Sequence, residues 1–122
     1  MKYFAALAFV AISACQMTDD AGETAGMRLA TQNDLNAIVG KTITFEPGQS
    51  FVISSNGTLN GSWDGAPLTG TYQMRDGFFC RTLSQGPRGP SPEDCQLMVL
   101  DGNALAVTRD RGNGGSFTYT VS

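Results

Sequence analysis

The sequence predicts an all-β fold with one short N-terminal helix: an antiparallel meander of about eight strands, closed into a small barrel or folded into a two-sheet sandwich. Two observations carry this. From Lys41 onward apolar residues recur with a period of two, as in Ile43 and Phe45, Phe51 and Ile53, Leu59, Gly61 and Trp63, and Phe117, Tyr119 and Val121. Strands with one buried face read this way. Between these runs stand Asn56-Gly57, Asp64-Gly65, Asp76-Gly77, Asp101-Gly102 and Gly112-Asn113-Gly114-Gly115, which supply the positive φ angles that tight hairpin turns demand. Their spacing of about 8 to 13 residues, with one longer gap around the cysteines, suits consecutive antiparallel strands.

The domain opens on a helix of about two turns within residues 31–40. Thr31 or Asn33 can cap its start, Leu35, Ile38 and Val39 share one face, and Gly40 can stop it. Such a helix can plug one end of a sheet structure. Strands are expected over 41–46, 50–55, 58–63, 67–75, 78–84, 95–101, 104–109 and 116–121, with Leu68, Gly70, Tyr72 and Met74 on one side of the fourth. About a dozen inward apolar side chains, each worth roughly 1.5 to 3 kcal/mol on burial, offset the entropy of ordering the chain. Closing the meander into a barrel removes the exposed edges that invite aggregation.

Ahead of the domain, Lys2, an apolar stretch over 3–12 and the small residues Ser13 and Ala14 have the three parts of an export signal. A core of about ten apolar residues is too short to cross a bilayer as a helix, which takes roughly twenty. Ile12-Ser13-Ala14-Cys15 resembles the lipobox of bacterial lipoproteins, which implies lipidation of Cys15 as the new N-terminus. The alternative is an ordinary secretory signal that leaves Cys15 a free thiol. The chain thus divides into a signal peptide at 1–14, the lipidated cysteine and a small, polar, acidic tether at 15–30, and a single β domain at 31–122. Gln16 stands where bacterial lipoproteins commonly carry an inner-membrane retention aspartate, which favours the outer membrane and a domain facing the periplasm. The membrane is then a partner through the lipid alone.

Cleavage after residue 14 leaves 122 less 14, or 108 residues, enough for one domain. Loss of Lys2 takes the balance from eight basic and eleven acidic residues to seven and eleven, a formal charge of −4. No basic stripe suits nucleic acid. With Cys15 assigned to lipid, Cys80 and Cys95 remain as a pair in an oxidising compartment, and a structural disulfide is expected. A redox-active pair would stand two residues apart near a helix start, and here fourteen residues intervene.

The chain holds no histidine, so the commonest general base and zinc ligand are missing. Carboxylate chemistry would fall to Asp64, Asp76, Asp101 and Asp110, yet the first three each precede a glycine in an expected turn, where aspartate serves its own backbone. No dense alternation of oxygen ligands suggests calcium, and no phosphate loop is present. No catalytic, metal or cofactor residue is assigned, and a noncatalytic protein is expected. Trp63, Tyr72, Phe78, Phe79, Phe117 and Tyr119 could line a ligand pocket at a barrel mouth, or simply form the core. The segment 84–94, with Gln85, Pro87, Arg88, Pro90 and Glu93, is the candidate binding loop; the plainer alternative is a long hairpin connection stiffened by proline.

Residues 69–81, from Thr69-Gly70-Thr71-Tyr72 to Phe78-Phe79-Cys80-Arg81, then Cys95-Gln96 and Asp110-Arg111-Gly112-Asn113-Gly114, resemble a group of short exported alphaproteobacterial proteins. The resemblance covers about residues 35–120. Some members carry the name dihydrodipicolinate reductase, an activity that would need a dinucleotide-binding Gly-x-Gly-x-x-Gly after a strand, and this chain has none. The resemblance implies the disulfide and the fold, and no catalytic residue. It singles out Arg81, which could meet a carboxylate across strands, and the pair Asp110-Arg111. The expected function is a noncatalytic envelope module that binds a protein or an envelope component, with 84–94 as the candidate binding loop. The alternatives are a barrel resembling periplasmic protease inhibitors and a small-ligand carrier, which requires an internal cavity.

Overall fold

The computed structural model describes residues 26–122. The export signal, Cys15 and the first part of the expected tether lie outside the described residues. Nine strands follow one another: β1 (Met27–Arg28), β2 (Ile43–Glu46), β3 (Gln49–Ile53), β4 (Thr58–Trp63), β5 (Ala66–Arg75), β6 (Phe78–Gln85), β7 (Ser91–Asp101), β8 (Ala104–Thr108) and β9 (Ser116–Val121). From β2 to β9 each strand pairs antiparallel with the next, and Ile43 opposite Val121 joins the last to the first. The meander is therefore a closed eight-stranded barrel rather than a sandwich.

Turn chemistry sets this register. Asp64 and Gly65 have φ of 52° and 89°, and Asp76 and Gly77 have 54° and 84°, the doubly positive pairs of two-residue hairpins whose twist matches the strands. Two inward glycines let the wall bend: a Cβ on Gly61 would lie 2.1 Å from the Ser50 carbonyl oxygen, and one on Gly70 2.2 Å from that of Thr82. Only glycine permits so close a backbone approach.

One end of the barrel is plugged. The expected two-turn helix is a four-residue 3-10 helix, Asp34–Ala37, and it drives Leu35 and Ile38 fully out of solvent. The turn leading into it is tied by Thr31, whose hydroxyl accepts the Asp34 N–H at 3.1 Å, while the Asp34 carboxylate accepts the N–H groups of Ala30 and Thr31 at 2.9 and 3.1 Å; Asn33, at the N-cap, makes no side-chain cap bond. The reciprocal pairing of Thr31 with Asp34 resembles a capping box. It holds the Asp34 carboxyl below its ordinary pKa, the Ala30 bond foremost. At the same end Gln32 donates to the Tyr72 hydroxyl at 3.2 Å, and that hydroxyl donates to the Ser54 carbonyl.

Residues 27–29, assigned by composition to a tether, are packed against the barrel. Met27 pairs with Leu100 and Arg28 with Val99, and Leu29 is fully buried with its N–H on the Met98 carbonyl at 2.9 Å. Burying Leu29 and completing the β7 edge outweigh the freedom that composition suggested for 26–30.

The candidate loop 84–94 is also shorter than expected. β6 and β7 continue past the disulfide as far as Leu83 opposite Ser91, which leaves a tip at 86–90. Between Arg81 opposite Asp94 and Leu83 opposite Ser91 the register shifts. Pro92, which has no N–H to give the ladder, is accommodated in that bulge. Cys80 and Cys95 stand directly opposite one another and form the disulfide between β6 and β7.

Candidate functional site

The end of the barrel opposite the plug is open. Inward residues there surround a cavity of about 270 Å³. Its two sides differ in chemistry. On one stand aromatics from β2, β3, β4 and β9: Phe45, Phe51, Trp63, Phe117 and Tyr119. Phe45 stacks on Trp63 at 6.1 Å, meets Phe117 edge-on at 6.0 Å and lies 5.4 Å from Tyr119, so the wall is one contiguous aromatic sheet. Phe45 and Phe117 reach the rim, where they remain 37% and 39% exposed.

Facing it are β6, β7 and the turn that follows β8, which contribute Arg81, Ser91, Gln96 and Arg109, with Arg88 from the tip above them. Arg81 lies on the inward side of β6 between Phe79 and Leu83, and burial pushes its pKa below the ordinary arginine value while leaving it a cation. Its Nη1 is buried and has no hydrogen-bond partner among the described residues. An unpaired buried donor of this kind costs about 1 to 3 kcal/mol, more when charged.

The carboxylate opposite Arg81 is Asp94, and it is engaged elsewhere. It accepts from Gln96 Nε2 at 2.9 Å, from Arg109 Nε at 3.1 Å and from the Asp110 N–H at 3.1 Å. Burial pushes the Asp94 carboxyl up, but these three donors outweigh it and hold the pKa below the ordinary value. The Asp110 contact secures the turn after β8, in which Asp110 and Arg111 take left-handed φ of 53° and 54°. Tyr119 is held protonated by burial, which raises its pKa against the opposing influence of Arg81 and Arg109. Nothing in this arrangement pairs a nucleophile with a base. What it offers is an apolar face and a cationic face across a small gap.

No protein-family model, curated protein or solved structure matches the chain.

The residues expected to act together are dispersed. Of the candidate loop, Pro87 and Arg88 line the cavity mouth, whereas Gln85 accepts from the Thr69 hydroxyl at 2.8 Å and Glu93 pairs with Arg75 on the outer surface. Pro90 is exposed at the foot of the tip. Among the six aromatics proposed for a mouth, Trp63, Phe79, Phe117 and Tyr119 line the cavity, Tyr72 belongs to the closed end, and Phe78 faces outward between the guanidiniums of Arg28 and Arg111 at 5.0 and 5.2 Å. Asp64 and Asp76 are turn residues with positive φ. Arg109 escaped the sequence reading, although the phase of Leu105 and Val107 extends to it.

Proposed function

We propose that this chain is a noncatalytic lipoprotein of the cell envelope whose barrel takes up a small amphipathic molecule at its open mouth. The observation that carries the reading is the two-sided cavity, aromatic on β2, β3, β4 and β9 and cationic at Arg81 in β6, Arg88 in the tip and Arg109 just after β8. Binding sites of this kind are concave, mostly apolar and furnished with a few convergent polar groups. An apolar cavity of about 150 Å³ accommodates benzene, so about 270 Å³ admits a fused ring or a ring with a short substituent.

The lipobox supports anchorage, and the pairing of Met27 with Leu100 supports entry of the chain into the domain at the plugged end. Lipid and mouth then attach to opposite ends, with the mouth open to the periplasm. The Cys80–Cys95 disulfide suits that oxidising compartment. The tip at 86–90 is short and turns Arg88 over the cavity, so the hairpin serves the barrel mouth better than it would serve as an independent protein-binding loop.

The mature chain, residues 15–122 carrying Cys15→Ser and exported by a cleavable leader, should bind neutral 2-naphthol one to one and lose Trp63 fluorescence as it fills. Phe117→Ala should weaken binding about tenfold, as loss of one partly buried aromatic implies. Absence of saturable binding would overturn the carrier reading. Anchorage is checked separately by the mass of the native N-terminal peptide, which should carry acyl chains on Cys15.

A further inference from the structure

We infer that the ligand of this barrel is a small apolar monoanion of the carboxylate class, its head on Arg81 and its body against the aromatic wall of Trp63 and Phe117. The inference rests on the cavity being a ligand site, and it adds the charge and polarity of what enters.

Three features of the site point to an anion. Arg81 sits at an inward position that neighbouring Phe79 and Leu83 fill with apolar atoms, yet its Nη1 has no hydrogen-bond partner among the described residues. The carboxylate opposite, Asp94, attracts Arg81 across the strands, but its hydrogen bonds go to Gln96, Arg109 and the Asp110 N–H, so the Arg81 Nη1 keeps a free donor. Finally, three arginines and, among the described residues, no carboxylate line the cavity. A wall in which arginines outnumber the one nearby carboxylate, beside low-dielectric aromatics, concentrates anions.

The shape of the head follows from guanidinium chemistry. The planar fork of arginine matches the two oxygens of a carboxylate, and such charge-assisted bonds strengthen where water is scarce. One interior guanidinium balances one negative charge, because Arg109 is spent on Asp94 and Arg88 is exposed at the tip. The aromatic wall on the opposite side of the gap takes a flat apolar body by stacking.

The test compares 2-naphthoate with its neutral isostere 2-naphthamide by titration calorimetry on the mature Cys15→Ser chain. The acid should bind about ten- to a hundredfold tighter, the range expected for a hydrogen-bonded charge. Arg81→Met should bring that preference down to about twofold or less with amide affinity retained, and Arg75→Gln, which alters a guanidinium on the outer surface, should leave it intact. Equal affinities for acid and amide in the parent chain would overturn the anion inference and leave the carrier reading standing. Binding of neither would overturn both. Should Arg81→Met fail to fold by circular dichroism, Arg81→Gln serves instead: a preference undiminished in either uncharged variant would remove Arg81 from its assigned role.

Discussion

Leu29 provides the sharpest contrast between composition and structure. Read as part of a polar tether, it would tolerate alanine at no cost; packed into the plugged end with no exposed surface, it would not. Leu→Ala at fully buried sites costs about 2 to 5 kcal/mol, the sum of lost transfer energy and the cavity left behind. The Leu29 N–H bond to the Met98 carbonyl is retained by alanine, which favours a loss near 3 kcal/mol on that scale. In a domain of this size each 1 kcal/mol moves the melting temperature by about 4 to 8 °C, so Leu29→Ala should melt about 12 to 24 °C below the parent. Urea unfolding followed by Trp63 fluorescence and far-ultraviolet circular dichroism measures it, with Met27→Ala, whose side chain is 49% exposed, as a companion that should shift by less than about 0.5 kcal/mol. Equal stabilities for Leu29→Ala and the parent would refute the packing of residues 26–30 into the domain.

Removing the disulfide with Cys80→Ala and Cys95→Ala together should cost about 3 kcal/mol in the same assay, because a cross-link of this span restricts the unfolded chain by that amount in the entropy model. Gly70→Ala should destabilise by about 1 to 3 kcal/mol, since the new methyl would meet the Thr82 carbonyl at 2.2 Å and the backbone must move; a shift below about 0.5 kcal/mol would contradict the close approach of β5 and β6. Asp94 has a depressed pKa in the folded state, so its contribution is present above the unfolded value of about 3.9 and disappears as pH falls through the lower folded value. Asp94→Asn should therefore be less stable than the parent at pH 7, with the gap narrowing below about pH 4 in acid titrations of stability.

The barrel was legible because its local signals agree. Alternation placed Phe45, Trp63, Phe117 and Tyr119 on inward faces, and Asp-Gly pairs fixed the hairpins at 64–65 and 76–77. Closure itself was not legible, since Ile43 and Val121 meet across almost the whole domain and no local pattern distinguishes that contact from the edge of a sandwich. Proline misled at 84–94: Pro92 reads as loop, and the bulge opposite Thr82 that makes it tolerable is a property of two strands together. The same holds for the site. Arg81 occupies a core phase between Phe79 and Leu83, a signal available in the sequence, but its unpaired Nη1 depends on Asp94 being held by Arg109 and Asp110 from a different hairpin.

A nitrogen–proton correlation spectrum of the labelled mature chain, recorded while 2-naphthoate is added, tests uptake at the mouth most directly. The predicted result is saturable movement of the Trp63 indole signal and of amides in β6 and β9 that flank Arg81 and Tyr119, with Leu35, Ile38 and Ile53 at the plugged end unmoved. Signals that stay in place throughout, or that move at the plugged end instead, would contradict it.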